Sequence, residues 1–239
     1  MKTILYIISF VLLTIVTQSC SFNAVKGNGN IAKNEINISD YSQIKFSGGA
    51  TLHYEQKNDT TPYLRIEVDE NIFPLLTIEN SDNVLRIYNK ENIRPTKYNI
   101  YTNSATLKSL EASGSITALI KGKLETQDLN IALSGSGDIT IDSLVCQNLE
   151  TKISGSADMT IKGGKASFIK SIISGSGKIN ALAMQADSTS CITSGSGDFK
   201  VWSDKYLKIE VSGSGNVEYK GNPQIDKAIS GSGKVTQVH

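Results

Sequence analysis

Residues 134–141 read Ser-Gly-Ser-Gly-Asp-Ile-Thr-Ile, a glycine-rich corner that leads into alternating polar and apolar residues. The Ser-Gly-Ser unit at its start occurs seven times in the chain, at steps of 21, 20, 20, 20, 18 and 18 residues. The copies begin at Ser113, Ser134, Ser154, Ser174, Ser194, Ser212 and Ser230. Self-similarity at a nearly fixed period is typical of a protein built from stacked repeats.

Apolar residues alternate with polar ones on both sides of each corner. Most copies are apolar one and five residues before the first serine, and five and seven residues after it, as at Leu129, Leu133, Ile139 and Ile141. This period of two is that of a β-strand, and no copy shows helical spacing over the roughly ten residues that a helix needs. Each repeat therefore reads as strand, tight corner, strand and looser polar turn.

One such repeat cannot bury its apolar face, so the repeats must stack. Parallel stacking at about 4.8 Å per rung aligns equivalent residues into columns, with the Ile, Leu and Val columns inside. The sequence thus predicts an all-β protein, a parallel β-solenoid (β-helix) with rungs of 18–21 residues and Ser-Gly-Ser-Gly corners. We expect a right-handed coil, and we expect the turn opposite the corner to absorb the change from 20 to 18 residues.

The corners are predicted to be structural. Glycines such as Gly135 and Gly137 permit positive φ and a sharp bend, whereas Ala157, which replaces the second glycine of one copy, requires negative φ or mild backbone strain. The two serine columns are predicted to form hydroxyl ladders, since each hydroxyl both donates and accepts. These serines are not predicted to be nucleophiles.

One column just after the corner mixes charges. It carries Asp138, Asp158, Lys178, Asp198, Asn216 and Lys234. A lysine in a shared cation site would oppose the ion, so no calcium site is predicted here. Neighbouring Asp158 and Lys178 are expected to pair weakly on an exposed face.

The N-terminal residues differ in kind from the rest. Lys2 precedes thirteen residues, Ile4 to Val16, that are apolar apart from Ser9 and Thr14. This run is shorter than the roughly 20 residues of a membrane span and is typical of a signal peptide, which we assign to residues 1–19.

Cys20, at the end of that segment, resembles the lipidated cysteine of a bacterial lipobox. We therefore predict lipid attachment at Cys20 and a polar tether over residues 20–30. We also predict export to the bacterial cell envelope, to the periplasmic or the surface face of the outer membrane. The membrane would then be a partner through the lipid. The alternative is an ordinary signal peptide cut nearby, which leaves Cys20 as a free thiol.

Residues 31–239 are predicted to form one β-helix head. Residues 106–239 supply the regular rungs, and residues 31–105 are expected to form larger, irregular rungs that cap the N-terminal end; a separate small β-domain is the alternative. Ser47-Gly48-Gly49-Ala50 reads as a worn copy of the corner. At the other end, an uncovered last rung would present an unpaired strand edge, which predicts a homodimer through the C-terminal rungs.

Three further motifs are specific in combination. They are Asp40–Ala50 (Asp-Tyr-Ser-Gln-Ile-Lys-Phe-Ser-Gly-Gly-Ala), Val68–Ile72 (Val-Asp-Glu-Asn-Ile), and corners that continue as Ser-Gly-Ser-Gly-Asp-Ile or Ser-Gly-Ser-Gly-Asn-Val. Together they resemble the auto-transporter adhesin head GIN domain family, over about residues 28 to 239. The resemblance implies a parallel β-helix and an envelope location, and it brings no set of binding residues.

The chain offers few groups for chemistry. Lys plus Arg number 24 and Asp plus Glu number 23, so no nucleic-acid partner is expected. His53 and His239 are the only histidines, and no set has zinc-ligand spacing or a Ser–His pairing. Cys146 and Cys191 fall in different columns, so two unpaired thiols are predicted. We therefore predict no catalytic, cofactor-binding or metal-binding residues.

Two functions stay open at this point. The first is a non-enzymatic envelope lipoprotein, adhesin-like or a scaffold, whose β-helix surface binds a polymer such as a glycan, or a protein. The second is a carbohydrate-active enzyme, a lyase or hydrolase, which would need clustered carboxylates. The one acidic cluster, Glu67, Asp69 and Glu70, reads as a solvated turn.

An aromatic platform is the candidate ligand site. Trp202, Tyr206 and Tyr219 lie in adjacent rungs, where aromatic rings offer faces to sugars. The alternative is aromatic packing near the C-terminal end of the solenoid.

Overall fold

The computed structural model describes residues 24–238. Within them the chain forms sixteen β-strands and one short 3-10 helix, with no α-helix in this part of the chain. No helix of residues 24–238 has the length and apolar character needed to cross a membrane. The predicted signal peptide and Cys20 lie outside the described residues.

The strands are numbered in chain order. They are β1 (Val25–Lys26), β2 (Ile31–Asn37), β3 (Gln43–Gln56), β4 (Tyr63–Asp69), β5 (Leu76–Ser81), β6 (Val84–Asn89), β7 (Ile93–Arg94), β8 (Tyr98–Ser104), β9 (Ser109–Glu125), β10 (Asp128–Ile161), β11 (Gly164–Gly175), β12 (Lys178–Gly195), β13 (Asp198–Gly213), β14 (Val217–Lys220), β15 (Gln224–Gly231) and β16 (Val235–Gln237). The 3-10 helix is Phe73–Leu75 and precedes β5.

The regular half is a parallel β-solenoid, as predicted. Parallel pairing joins β3 to β9, β9 to β10, and each later strand to the next coil. Equivalent corner residues stack in register: Ser134 lies beside Ser113, and Ser194 beside Ser174. Strand β10 runs unbroken through two corners, so a corner there is a bend in a continuous strand.

The shortening of the rungs falls opposite the corner, as expected. Ala181 pairs with Val201, a step of 20 residues, whereas Ser188 pairs with Tyr206, a step of 18. The register shifts between these two pairs. Residues are thus lost from the looser turn while the corner columns stay aligned.

One apolar core runs through the solenoid and continues into the N-terminal strands. The predicted columns are buried, with Ile173 and Leu207 fully inaccessible. Three residues before the corner, small polar side chains also face inward: the Thr151 hydroxyl donates to the Ser171 hydroxyl at 2.9 Å. The sequence pattern missed this column because Thr and Ser are common on exposed faces.

The two corner glycines have different roles. The first has φ near 130° in the regular corners, from 127° at Gly155 to 133° at Gly231. The second has positive φ at Gly137 but not at Gly197, where space is limiting instead: a Cβ would lie 2.6 Å from Ile173 Cγ2. The expectation of positive φ therefore holds for the first glycine of each corner and for Gly137, but not for the second glycines of the later corners. Ala157 avoids positive φ, as predicted.

The predicted serine hydroxyl ladders do not form. The corner serines are exposed, and within residues 24–238 no hydroxyl of one corner bonds a hydroxyl of the next. The backbone links the coils there: the Ser176 N–H donates to the Gly155 carbonyl at 2.9 Å and the Ser196 N–H to the Gly175 carbonyl at 2.8 Å. The serine seam is an exposed stripe held by main-chain hydrogen bonds.

The N-terminal end differs from the expected irregular rungs. Strand β3 is a true coil, because Ser47 and Gly48 stack on Ser113 and Gly114. Beyond it, β6 pairs with the first half of β3 and β8 with the second half. Antiparallel strands follow: β5 pairs with β6, β4 pairs with β8, and β2 pairs with β4. Two short antiparallel extensions of the solenoid sheet thus cover this end of the coil.

The acidic cluster is not a solvated turn, because Glu67 and Asp69 are buried in β4. The Lys97 ammonium lies 2.7 Å from Glu67 and holds the pKa of that carboxyl below its usual value. Asp69 accepts the Gly29 N–H at 2.8 Å and both the N–H and the hydroxyl of Thr96 at 2.7 Å. The two carboxylates therefore bind neighbouring segments to the cap.

Candidate binding groove

An outward-facing groove of about 670 Å³ runs beside the serine seam. It crosses the stacked strands β6, β3, β9 and two successive passes of β10. One row of paired residues runs along its centre. In this row Phe46 pairs with Ile87 on one side and with Ala112 on the other, and Ala112 pairs with Leu133. The groove thus spans five strand segments along the solenoid axis, where the cap meets the first regular coils.

The floor of this groove is apolar. Phe46, Ala112 and Leu133 belong to the core column and reach the groove through a 4–6% exposed fraction. Ala132 lowers one wall of the groove, because its neighbours in the same outward column are the longer Glu111 and Lys152. A methyl group between these long side chains leaves a gap through which the floor is accessible.

The rim carries three cations and one anion, Lys45, Arg86, Lys152 and Glu111. The Lys45 ammonium lies 2.9 Å from Glu111, and Lys152 lies 3.1 Å from Glu150 outside the groove. Arg86 has no ion pair within residues 24–238. Exposed pairs contribute at most about 1 kcal/mol, so the lysines can exchange partners. The four charged residues that line the groove carry a net positive charge.

Hydroxyl groups line the side of the groove next to the seam. Tyr88 is 37% exposed, and its hydroxyl donates to Glu79 at 2.8 Å. That hydrogen bond raises the pKa of Tyr88, so the phenol stays neutral. Ser47 and Ser134 contribute further hydroxyls. An apolar floor, cationic rim and neutral hydroxyls suit the binding of an elongated ligand.

The mixed-charge column forms a second, more polar groove of about 570 Å³. The expected Asp158–Lys178 ion pair is absent from this part of the chain; instead the Lys178 backbone N–H donates to Asp158 at 3.0 Å. The Asn216 N–H donates to Asp198 at 2.9 Å in the same way. These carboxylates therefore stabilise main-chain bends between coils.

The structure does not bring the three predicted platform residues onto one face. Tyr219 pairs with buried Val201 and packs against the core. Trp202 faces outward, with the Lys220 ammonium 4.7 Å from its ring centroid and its indole N–H donating to Asp204 at 2.8 Å. Tyr206 is also partly exposed, later in β13. Trp202 and Tyr206 thus lie at separate places along the strand and do not form a flat surface with Tyr219.

The histidine and the two cysteines among the described residues are packed against neighbouring side chains or buried in the core. His53 stacks on Tyr101 at 4.5 Å, and burial with nearby Lys121 lowers its pKa. Cys146 and Cys191 are both buried and unpaired, and burial raises the pKa of Cys146 to about 11. No group of three or more metal-ligating side chains occurs among residues 24–238.

Sequence reasoning missed the groove residues. The sequence does show an alanine, Ala132, at a repeat position where the neighbouring copies carry charged residues. Only the strand register shows that this position faces a groove. Arg86 lies in the cap, where no repeat predicts its position. The fold and its outward grooves define a β-solenoid protein that presents long ridged faces to its surroundings.

The sequence matches the family described as "Putative auto-transporter adhesin, head GIN domain" over residues 40–223. The chain belongs to this family, which confirms the resemblance carried by its corner motifs. No match was found among the curated proteins.

Three solved structures are similar to this chain. A "putative lipid binding protein" from Parabacteroides distasonis is 31% identical with a TM-score of 0.72, covering 91% of this chain and 100% of that chain. A "putative adhesin" from Parabacteroides merdae is 29% identical with a TM-score of 0.72, covering 90% and 99%. A second "putative adhesin", from Bacteroides fragilis, is 24% identical with a TM-score of 0.82, covering 90% of this chain and 100% of that chain. At this identity the similarity shows the fold alone.

Proposed function

We propose that the protein is a non-enzymatic, adhesin-like module of the bacterial cell envelope that binds ligand on the outer face of its solenoid. The groove beside the serine seam carries this proposal, since its apolar floor and cationic rim suit binding. Membership of a family described as adhesins supports it, as does a relative described as lipid binding.

Retention of envelope material tests this function. Beads bearing the exported protein are expected to retain glycans, lipids or proteins from envelope extracts, and Ala132→Phe, which fills the trough, is expected to abolish retention. Ala183→Phe adds the same bulk at an exposed position of β12 and serves as the control. Trp202→Ala tests the aromatic platform separately. Turnover of any glycan by the protein would contradict the non-enzymatic function and favour the carbohydrate-active alternative.

We propose anchoring through a lipid on Cys20, with the outer membrane as the destination. Cys20→Ser is expected to eliminate incorporation of labelled palmitate and to move the protein from the membrane to the soluble fraction. Loss of the thioether site explains both effects, since one or more acyl chains provide membrane affinity. Cys146→Ser serves as the control, because its thiol is buried in the solenoid. Continued labelling of Cys20→Ser would exclude this attachment site.

We also propose homodimerisation through the C-terminal rungs. Ile225 and Ile229 are 36% and 37% exposed although their column is buried in earlier coils, and β15 pairs only with β13 within the described residues. Ile229→Lys is expected to convert a dimer to a monomer in sedimentation velocity, since a charge opposes burial. Ile31→Lys, at an equally exposed isoleucine of the opposite end, is the control. A wild-type monomer at high concentration would contradict this proposal.

A further inference from the structure

The shape of the groove beside the serine seam selects a narrow, extended guest. Five strand segments at about 4.8 Å spacing give a trough about 19 Å long, parallel to the solenoid axis. Its volume of about 670 Å³ lies within the range of small-molecule sites. Long side chains on one side and the serine seam on the other keep it narrow.

The floor of the trough lacks groups that a polar guest would need. Phe46, Ala112 and Leu133 on the floor and Ala132 on the wall offer carbon atoms, and the adjacent backbone is already paired between coils. A sugar laid there would leave hydroxyl groups unpaired against apolar atoms. An alkyl chain has no such groups, and its burial removes apolar surface from water on both sides.

The charges of the rim determine the head group. Arg86 lies at the cap end of the groove beside Tyr88, and it has no ion pair within residues 24–238. A guanidinium binds a carboxylate with two parallel hydrogen bonds. Glu79 is the cross-strand neighbour of Arg86 but lies beyond ion-pair distance, and it accepts the hydroxyl of Tyr88 instead. Lys45 adds positive charge one strand away.

We propose that this groove binds a single-chain fatty acid, with the alkyl chain over Ala132 and Leu133 and the carboxylate on Arg86. This inference rests on the proposed binding function and specifies its ligand. The positive rim and apolar floor are complementary to the negative head and apolar tail of such a molecule. A cationic amphiphile of the same length lacks this complementarity.

Calorimetry with the full chain carrying Cys20→Ser tests the proposal without detergent. Dodecanoate, kept below its micelle-forming concentration, is expected to bind with a Kd on the order of 10 µM. Arg86→Gln is expected to weaken binding about tenfold, as loss of a charge-assisted pair predicts. Ala132→Phe is expected to abolish binding, and dodecyltrimethylammonium is expected not to bind.

Two control variants keep these results specific. Ala183→Phe and Arg94→Gln change exposed residues outside the groove and are expected to leave the Kd unchanged. Circular dichroism confirms that each variant is folded. Unchanged binding in a folded Ala132→Phe protein would overturn the site, and equal binding of dodecanoate and dodecyl maltoside would overturn the role of Arg86.

The ligand class and the proposed function fail in different ways. No dodecanoate binding, together with retention of envelope material that still depends on Ala132, overturns the fatty acid and leaves the binding function standing. Retention that is absent from wild-type beads overturns the proposed function. If a glycan displaces the retained material from wild type and does not bind Ala132→Phe, the occupant of the groove is a glycan and not a fatty acid.

Discussion

Gly155→Ala is expected to lower the free energy of unfolding by at least about 3 kcal/mol. Gly155 has a φ of 127°, a region that residues with a Cβ rarely adopt. The added Cβ would lie 2.2 Å from the carbonyl oxygen of Gly135 in the coil below. Relief would require the two coils to separate at the corner and would weaken the hydrogen bond from Ser176 to Gly155 above.

Gly163→Ala is the matched control for this prediction. Gly163 lies in the looser turn of the same coil without positive φ, and the nearest atom to its new Cβ is 3.9 Å away. Its stability is expected to change by less than about 1 kcal/mol. Guanidinium denaturation of both variants measures the difference. Equal midpoints for the two variants would show that the corner tolerates a side chain and that coil stacking does not require glycine there.

The regular coils could be predicted from sequence because two independent periods agree. Alternation by two residues assigns each side chain to a face, and the 18–21-residue repeat assigns it to a column. The two periods together are enough to place a buried residue such as Ile173 inside the coil. The finer roles of the corner glycines depend on distances between coils, such as that from Gly197 to Ile173, which no sequence pattern contains.

The cap could not be predicted in the same way. Strands β4, β5 and β8 alternate as solenoid strands do, and the period of two is shared by parallel and antiparallel pairing. Because no repeat is visible between residues 57 and 108, nothing in the sequence sets the register there. Glu67 and Asp69 then read as solvated charges, although tertiary partners bury both.

The groove depends on differences between coils rather than on the repeat itself. Inward columns repeat because each coil must fill the same interior, whereas outward columns are free to vary. In the outward column of the groove, Glu111, Ala132 and Lys152 follow one another. The repeat therefore builds a nearly constant tube, and departures from it on the outer face form the groove.

Asp69→Asn is expected to destabilise the cap by about 3 kcal/mol at neutral pH, because it removes charge-assisted hydrogen bonds from a buried site. The two carboxylate oxygens accept three hydrogens, from the Gly29 N–H and from the N–H and hydroxyl of Thr96. An amide has one oxygen, so either orientation sets its NH2 against a donor. The segment around Gly27 would then lose its tight packing on residue 69.

The effect of this substitution depends on pH in a defined direction. Burial is the largest influence on Asp69 and opposes ionisation, but the combined hydrogen bonds from Thr96 and Gly29 outweigh it and lower the pKa of the carboxyl. A depressed folded-state pKa stabilises the protein above the unfolded-state pKa of about 3.9 and loses this contribution as pH falls through the folded-state value. The difference in unfolding free energy between wild type and Asp69→Asn is therefore expected to become smaller below about pH 4.

Glu70→Gln isolates the contribution of burial, because it makes the same chemical change at the next residue. Glu70 is exposed and accepts hydrogen bonds from the side chains of Asn28 and Asn30, which water can replace. Its variant is expected to lose less than about 1 kcal/mol. Urea denaturation at pH 7 and at pH 3 measures both proteins. If the difference in unfolding free energy between wild type and Asp69→Asn is the same at both pH values, the ionised carboxylate does not hold the cap. If this difference shrinks at pH 3 for Asp69→Asn but not for Glu70→Gln, Asp69 anchors the cap.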